Sequence, residues 1–364
     1  MITRLVRAAA AATLLVPAAL AAQAEPGLTV SLDSARREVV IVAGPFDAPQ
    51  MGAGHGAAGH GDAHGGAPEV KTVGSMMDHG EAHDTPLQRF RWPVDGYLRG
   101  FRIEVTDGEG KPLPRRILHH LIMVNFDRRQ LLYHAAERII GAGSETDDYS
   151  LPRTIGMPVK AGTNLGLYAG WHNDLGRDLP GVKVKLVLDW TALNQNPKPL
   201  AVLPIYMDVN LVPGMPNSYD VPPGKSTKVK EFTLPVGGKL LGVGGHLHDY
   251  GSAVRLEDAE TGKVLTQIRA KRLKDGRVTG LDRKLFGVSG EGLVLKAGRR
   301  YRVVGEYDNP TGQLLRNGAM AHMVGIFVPD DISKWPTIDP NDVDFQRDLA
   351  VLNLQGEDGG EHNH

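Results

Sequence analysis

The chain has 364 residues, with 41 Lys and Arg against 42 Asp and Glu, a formal charge of −1 and no cysteine. This balance argues against a nucleic-acid partner, because neutralising phosphates requires a surplus of basic side chains on one face. The absence of cysteine excludes disulfides, thiolate metal sites, iron–sulfur clusters and a cysteine nucleophile. Any metal would therefore be held by His, Met or carboxylate side chains.

The first 24 residues predict a secretory signal peptide. Arg4 and Arg7 precede an apolar run that ends in Ala22-Gln23-Ala24, a small-x-small pattern typical of a cleavage site. An uncleaved anchor is the alternative. No later run reaches the roughly 18–20 apolar residues that cross a bilayer, so we expect no membrane span after cleavage. Export without disulfides predicts a periplasmic or secreted protein.

Two stretches of different composition follow. Residues 25–50 alternate in polarity and predict one or two N-terminal strands. Residues 51–84 are rich in Gly, Ala and His and predict a flexible segment, because they contain few large apolar side chains to bury. This segment could chelate metal loosely or could be a solvated spacer; its candidate ligands are His55, His60, His64, Met76, Met77, His79 and His83.

From Leu98 onward, short strands alternate with Gly, Pro, Asn and Asp turns at intervals of roughly 8–12 residues. This pattern predicts an all-β protein of two consecutive antiparallel, jelly-roll-like β-sandwich domains. We place the first sandwich at 85–197 and the second at 198–335. In the C-terminal tail, 336–364, the stretch DVDFQRDLAVL predicts a helix and the final residues predict disorder.

Common catalytic motifs are absent from the sequence. It has no HExxH, no GxSxG and no GxxxxGK[ST], so hydrolase and nucleotide-binding functions are not favoured. The histidines of the β region carry more information.

His246 and His248 end a predicted strand and flank Leu247. Residues i and i+2 of a strand share a face, so the two imidazoles converge and could grip one ion or form a half-buried polar pair. His119 and His120 are neighbours, which face opposite ways on a regular strand. Both could bind one ion only at a bulge, at a strand end, or through Nδ1.

Single candidates complete the pattern. His172 follows Trp171 at the end of a predicted strand, where a lone histidine is more often a packing or capping residue than a ligand. Met320 would ordinarily be a core residue. At strand spacing, Met320 and His322 share one face.

The order His-His, His, His-x-His, Met resembles the copper type II, ascorbate-dependent monooxygenases, the family of peptidylglycine α-hydroxylating monooxygenase and dopamine β-monooxygenase. The separations are similar in scale, with 52 residues from His120 to His172, 74 to His246, and 72 from His248 to Met320. The resemblance covers residues 85–335. Five imidazoles and one thioether also favour copper by their own chemistry.

The resemblance implies two copper ions, one on each sandwich, facing each other across a solvent-filled cleft. The first would be held by His119, His120 and His172, and the second by His246, His248 and Met320, with His322 as a further ligand candidate. In such a protein the second copper and its ligands activate dioxygen. The first supplies an electron from a reductant such as ascorbate.

The residues also bear on the substrate. Gly244 stands where the peptide-hydroxylating members have an arginine that grips the substrate carboxylate. We therefore expect a small-molecule substrate other than a glycine-extended peptide.

Two further functions stay open. The first is a non-catalytic periplasmic copper-binding or copper-handling protein with a copper donor or acceptor as partner, which the His-rich segment and the terminal His362 and His364 favour. The second is a structural or interaction sandwich whose histidines are incidental.

Overall fold

The computed structural model describes residues 24–50, 83–287 and 291–354. The predicted signal peptide up to residue 23, the His-rich segment from 51 to 82, and the predicted disorder of 355–364 lie outside the described residues. Among the described ranges, no helix is both long and apolar enough to cross a bilayer.

The described chain is nearly all β, as predicted. Its strands in chain order are β1 (Leu28–Asp33), β2 (Glu38–Ala48), β3 (His83–Asp84), β4 (Gln88–Arg91), β5 (Gly96–Thr106), β6 (Leu118–Arg129), β7 (Ala136–Ala142), β8 (Tyr149–Ser150), β9 (Ile155–Val159), β10 (Asn164–Trp171), β11 (Leu179–Ala192), β12 (Leu200–Ala201), β13 (Leu203–Asp208), β14 (Tyr219–Val221), β15 (Gly224–Thr233), β16 (Gly238–Leu247), β17 (Gly251–Asp258), β18 (Val264–Arg272), β19 (Val278–Leu281), β20 (Lys284–Leu285), β21 (Leu293–Leu295), β22 (Arg300–Asn309), β23 (Leu315–Ala319) and β24 (Ala321–Pro329). Short 3₁₀ helices occur at Arg115–Ile117 and Ile332–Lys334, and helix α1 (Val343–Leu354) lies where the sequence predicted a helix.

Two sheets form the first half of the molecule, which we define as residues 24–201. One has the order β1-β2-β11-β5-β9-β12, with β8 also on β5, and the other has the order β3-β10-β6-β7, with β4 on β10. Strand β2 shows the expected alternation, with Val39, Ile41 and Ala43 buried. The sheets pack through apolar side chains such as Phe46 and Trp171, whose rings lie 6.2 Å apart. The N-terminal strands are therefore part of the first sandwich.

The second half, residues 203–329, is another sandwich. The sheet β13-β24-β16-β20, with β21 on β16, packs against β15-β22-β17-β18-β19, and β14 and β23 form a small separate sheet. Strand β15 pairs with β22 alone and is an edge strand. It carries Lys225, Lys228 and Lys230, and charged side chains of this kind discourage pairing with another chain.

The C-terminal segment returns to the first half. Helix α1 packs beside β7, where Asp348 accepts hydrogen bonds from Arg138 at 2.6 and 2.7 Å and from the backbone N–H of Ala136 at 2.9 Å. The halves also meet directly, because the Tyr133 hydroxyl donates to the carbonyl of Asp208 at 3.0 Å. This junction contains the histidines predicted as metal ligands.

Candidate metal centre

A β-bulge brings His119 and His120 together. On β6, His120 pairs with Gly170 of β10, but the next pair is Leu118 with Trp171, so His119 is an extra residue without a ladder position. A bulge re-aims a side chain in this way, and the two imidazole centroids lie 5.1 Å apart. His172 follows the end of β10, and its backbone N–H donates to the carbonyl of Ile117 at 2.8 Å.

Adjacent strands of the second half present the other candidates on one face. His246 of β16 lies directly opposite His322 of β24 in the antiparallel register. Two residues further along, the backbone N–H of His248 donates to the carbonyl of Met320 at 3.3 Å. Because side chains alternate along strands, all four residues occupy the same side of this sheet.

The imidazoles form one continuous array, which we call the histidine row. Its members are half-buried. Within the first half, the centroids of His119 and His172 are 6.3 Å apart. Within the second half, His246 lies 5.0 Å from His248 and 5.2 Å from His322. His120 and His172 both neighbour His119, and the row continues from His119 through His248 and His246 to His322.

The two sets of candidate ligands meet at the junction of the halves. The centroids of His119 and His248 are only 5.9 Å apart. At this point the two sets are in contact, because two rings so close leave no room for a water layer between them.

A buried carboxylate holds His246 from across the junction. Oε1 of Glu145, in the turn after β7, lies 2.7 Å from Nδ1 of His246, and the Glu145 side chain is only 7% exposed. Burial alone would raise the pKa of Glu145 and lower that of His246, but their mutual attraction and hydrogen bond reverse both shifts. Because the carboxylate accepts a hydrogen bond from Nδ1–H, Nε2 of His246 is the nitrogen that remains free to bind a metal ion.

Tyr206 fixes His322 in the same tautomer. The Tyr206 hydroxyl donates to Oδ2 of Asp208 at 2.8 Å and lies 3.1 Å from Nδ1 of His322. Because the hydroxyl hydrogen is used in the bond to Asp208, the hydroxyl oxygen accepts a hydrogen bond from Nδ1–H of His322. The lone pair of this imidazole is therefore on Nε2. Burial, and then the charge of His246, lower the pKa of His322 well below its ordinary value, so this imidazole is neutral.

Asp84 and Gly170 surround His120. Oδ1 of Asp84 lies 3.0 Å from Nε2 of His120, a close contact that lacks the alignment of a hydrogen bond. A Cβ at Gly170 would lie 2.5 Å from this carboxylate oxygen and 2.8 Å from Nε2. Gly170 is thus required for the close approach of the two side chains.

The side chains are of types that bind copper, although they do not converge on one point. Among the described residues, no three His, Asp or Glu side chains converge as a ready-made metal site. Two imidazoles bound to one ion through bonds of about 2 Å would have centroids roughly 4.5–6.5 Å apart. The spacings between neighbours in the histidine row, from 5.0 to 6.3 Å, fall in this range. Imidazole and thioether donors are ligands that suit copper.

The sequence did not reveal the supporting side chains. Glu145 lies in an ordinary polar turn, and Tyr206 and Asp208 look like typical strand-end residues. Only the pairing of β13 with β24, which sets Asp208 opposite His322, and the return of the β7 turn to β16 bring them to the row. An acidic residue after a strand carries no signal of this kind by itself.

Comparisons with known proteins yield no family. No protein-family model and no curated protein matches the chain. Among solved structures, the major capsid protein P2 of bacteriophage PM2 is 12% identical with a TM-score of 0.31, over 68% of this chain and 94% of that one. PNGF-II is 10% identical with a TM-score of 0.33, over 66% and 60%. A structure of broad bean stain virus is 10% identical with a TM-score of 0.29, over 71% of this chain and 91% of that one. Similarities this low carry no functional argument.

Proposed function

We propose that this protein is a periplasmic or secreted copper-dependent monooxygenase that acts on a small-molecule substrate. The observation that supports it is the histidine row, in which both halves contribute half-buried imidazoles within 6.3 Å of the next. His119, His120 and His172 would hold one copper. His246 and His248, with Met320 opposite His248 on the neighbouring strand, would hold the other.

Copper at these residues would supply one-electron chemistry with dioxygen and a reductant such as ascorbate. The chain's own part is to fix the ligands. Glu145 keeps the proton of His246 on Nδ1, and Tyr206 does the same for His322, so both present Nε2. Buried Asp208 in turn orients Tyr206, and Asn217 donates to the same carboxylate oxygen at 3.0 Å.

The surroundings of His246 support a small substrate. A Cβ at Gly244 would meet no atom within 4 Å, so there is open space two residues before His246 on the same face. A glycine there offers no cation to a substrate carboxylate.

The test is oxygen uptake with ascorbate by copper-loaded, dialysed protein over a panel of small C–H substrates. We expect substrate-dependent uptake that His246→Ala abolishes. His134→Ala is the matched control, because His134 lies outside the row, where its Nδ1 contacts Asp342. Equal uptake by wild type and His246→Ala would contradict the proposal, as would a protein that retains no copper.

A copper-handling function is the second candidate, and the continuity of the row favours it. Imidazoles in contact from His120 to His322 would let an ion pass between neighbouring ligands. A depression lined by Arg89, Arg91 and Asn164 lies at the other end of β10, about 26 Å from His172 along the strand, and is separate from the histidine row. Copper transfer to an apo-acceptor without oxygen uptake would support this function over the first.

A further inference from the structure

A strongly basic hairpin lies beside the histidine row in the second half. Residues 269–284, from the end of β18 through β19 to the start of β20, carry seven Lys and Arg against two Asp. This stretch, which we call the basic hairpin, has a net charge of +5 in a chain whose total is −1. All seven basic residues are exposed.

Few of these charges are neutralised. Arg277 lies 3.8 Å from Asp275, and Arg283 lies 3.3 Å from Asp147, which are exposed pairs that attract only weakly. The other five form no ion pair with a described residue: Arg269, Lys271, Arg272, Lys274 and Lys284. A cluster of unpaired charges of one sign produces a positive potential that extends into solvent.

Protection of a sheet edge does not account for these charges. Lys and Arg on an edge strand discourage pairing with another chain, as on β15. In the basic hairpin the edge strand is β19, whose sequence VTGL contains no charged residue. The charges lie instead on β18, one strand further in, and in the segments before and after β19.

The basic hairpin is fixed next to His248. The backbone N–H of Val278 donates to Oδ1 of Asp249 at 2.8 Å. Nη1 of Arg272 donates to the carbonyl of Tyr250 at 3.2 Å. Both acceptors belong to the two residues that follow His248, and two residues span at most about 7 Å of chain. The basic hairpin therefore presents its charges beside the row.

The chemistry of the basic hairpin fits an acidic protein surface. Leu273, in the turn between Arg272 and Lys274, is 45% exposed. An apolar centre with a charged rim is typical of protein interfaces. One leucine adds little apolar area for attachment to a bilayer, and residues 269–284 contain no aromatic side chain on which a nucleic-acid base could stack.

We propose that the basic hairpin is the docking surface for an acidic partner protein, which it holds beside the histidine row. This inference rests on the proposed copper function only for what the partner exchanges there, one electron or one copper ion. The docking itself depends on the charges of residues 269–284 and needs no metal. Opposite charges steer such encounters, so association is fast and falls as ionic strength rises.

The test measures binding to the metal-free full chain, so that a failure of the copper function does not affect it. The probe is an acidic plastocyanin, a small electron-transfer protein, and a basic cytochrome c is the probe of opposite charge. We expect plastocyanin to bind at low ionic strength, to dissociate as salt is added, and to shift the backbone NMR signals of residues 269–284. Cytochrome c should leave these signals unchanged.

A double variant, Lys271→Glu with Lys274→Glu, locates the surface. Both side chains are exposed and form no ion pair with a described residue, so the fold should be unaffected. Reversing two charges should weaken plastocyanin binding about tenfold. The matched control is Lys225→Glu with Lys263→Glu, which changes the net charge equally on β15 and before β18. It should bind as wild type does.

Equal affinities of the two double variants for plastocyanin would overturn the proposal, as would no binding at low ionic strength. Vesicles of phosphatidylglycerol and phosphatidylcholine test a membrane as the alternative partner. If wild type binds these vesicles, the hairpin variant does not, and plastocyanin causes no NMR shifts, the basic hairpin serves a membrane surface and the proposal fails. Copper retention by wild type is measured separately and reports on the proposed function alone.

Discussion

The carboxylate of Glu145 belongs to the first half, yet it bonds a histidine of the second. A Cβ at Gly143 would lie 2.3 Å from Oε2 of Glu145 and 2.9 Å from the carbonyl of His119, so this glycine admits the carboxylate beside the bulge. One residue without a side chain thus allows one carboxylate to reach across the junction.

Glu145→Gln tests whether this carboxylate orients a ligand. The amide keeps the size of the side chain but removes the charge that holds the proton on Nδ1 of His246. Loss of an outer partner of a metal-binding histidine usually weakens affinity roughly 10- to 100-fold. We expect a loss in this range in competition titrations with a copper chelator. Glu109→Gln, at an exposed ion pair with Lys111, is the control, and equal affinities for both variants would contradict the role.

Gly170→Ala tests the packing around His120. Its Cβ would lie 2.5 Å from Oδ1 of Asp84, and overpacking of this kind usually costs about 1–3 kcal/mol. We expect a lower urea midpoint and shifted NMR signals of His120. Gly244→Ala is a matched control on the other half, because its Cβ would meet nothing within 4 Å. If both variants unfold at the wild-type midpoint, the packing argument fails.

Strands and their registers determine which sequence inferences succeed. Alternation predicted the β class, and the structure is nearly all β. Helix α1 was predicted because an apolar periodic run is rare elsewhere in this chain. The bulge at His119 could not be predicted, because it depends on how β10 pairs with β6. From the sequence, a bulge was only one of the conditions under which His119 and His120 could bind one ion. The roles of Glu145 and Asp208 could not be predicted either, because only long-range contacts bring them to the histidines.

Helix α1 is held to β7 by a largely buried ion pair. Asp348 accepts hydrogen bonds from both terminal guanidinium nitrogens of Arg138, and the Asp348 side chain is 7% exposed. Asp348→Asn leaves this guanidinium without its charge partner, and breaking a buried pair costs roughly 3 kcal/mol. We expect faster proteolysis within α1 and a lower midpoint of unfolding. The exposed pair of Asp344 with Arg347 offers the control variant Asp344→Asn, which should behave as wild type; a similar loss there would point to a general effect of charge.

At the scale of the whole molecule, the histidine row joins the two halves at the contact of His119 with His248. They already share the bonds of Tyr133 to the Asp208 backbone and of Glu145 to His246. A ligand that binds only the folded state stabilises it by about 2.7 kcal/mol at a hundred times its Kd. If copper binds residues of both halves at this contact, this stabilisation should reach both.

Hydrogen exchange with and without copper measures that coupling. We expect added protection in β10 of the first half and in β16 and β24 of the second, because each carries or borders ligands of the row. The His134→Ala variant should show the same protection. In His119→Ala, protection should fall in both halves together, since His119 is the contact between the two sets. Protection lost only from β10 would mean that each half binds its ion alone, and the halves would then be linked by packing and not by the metal.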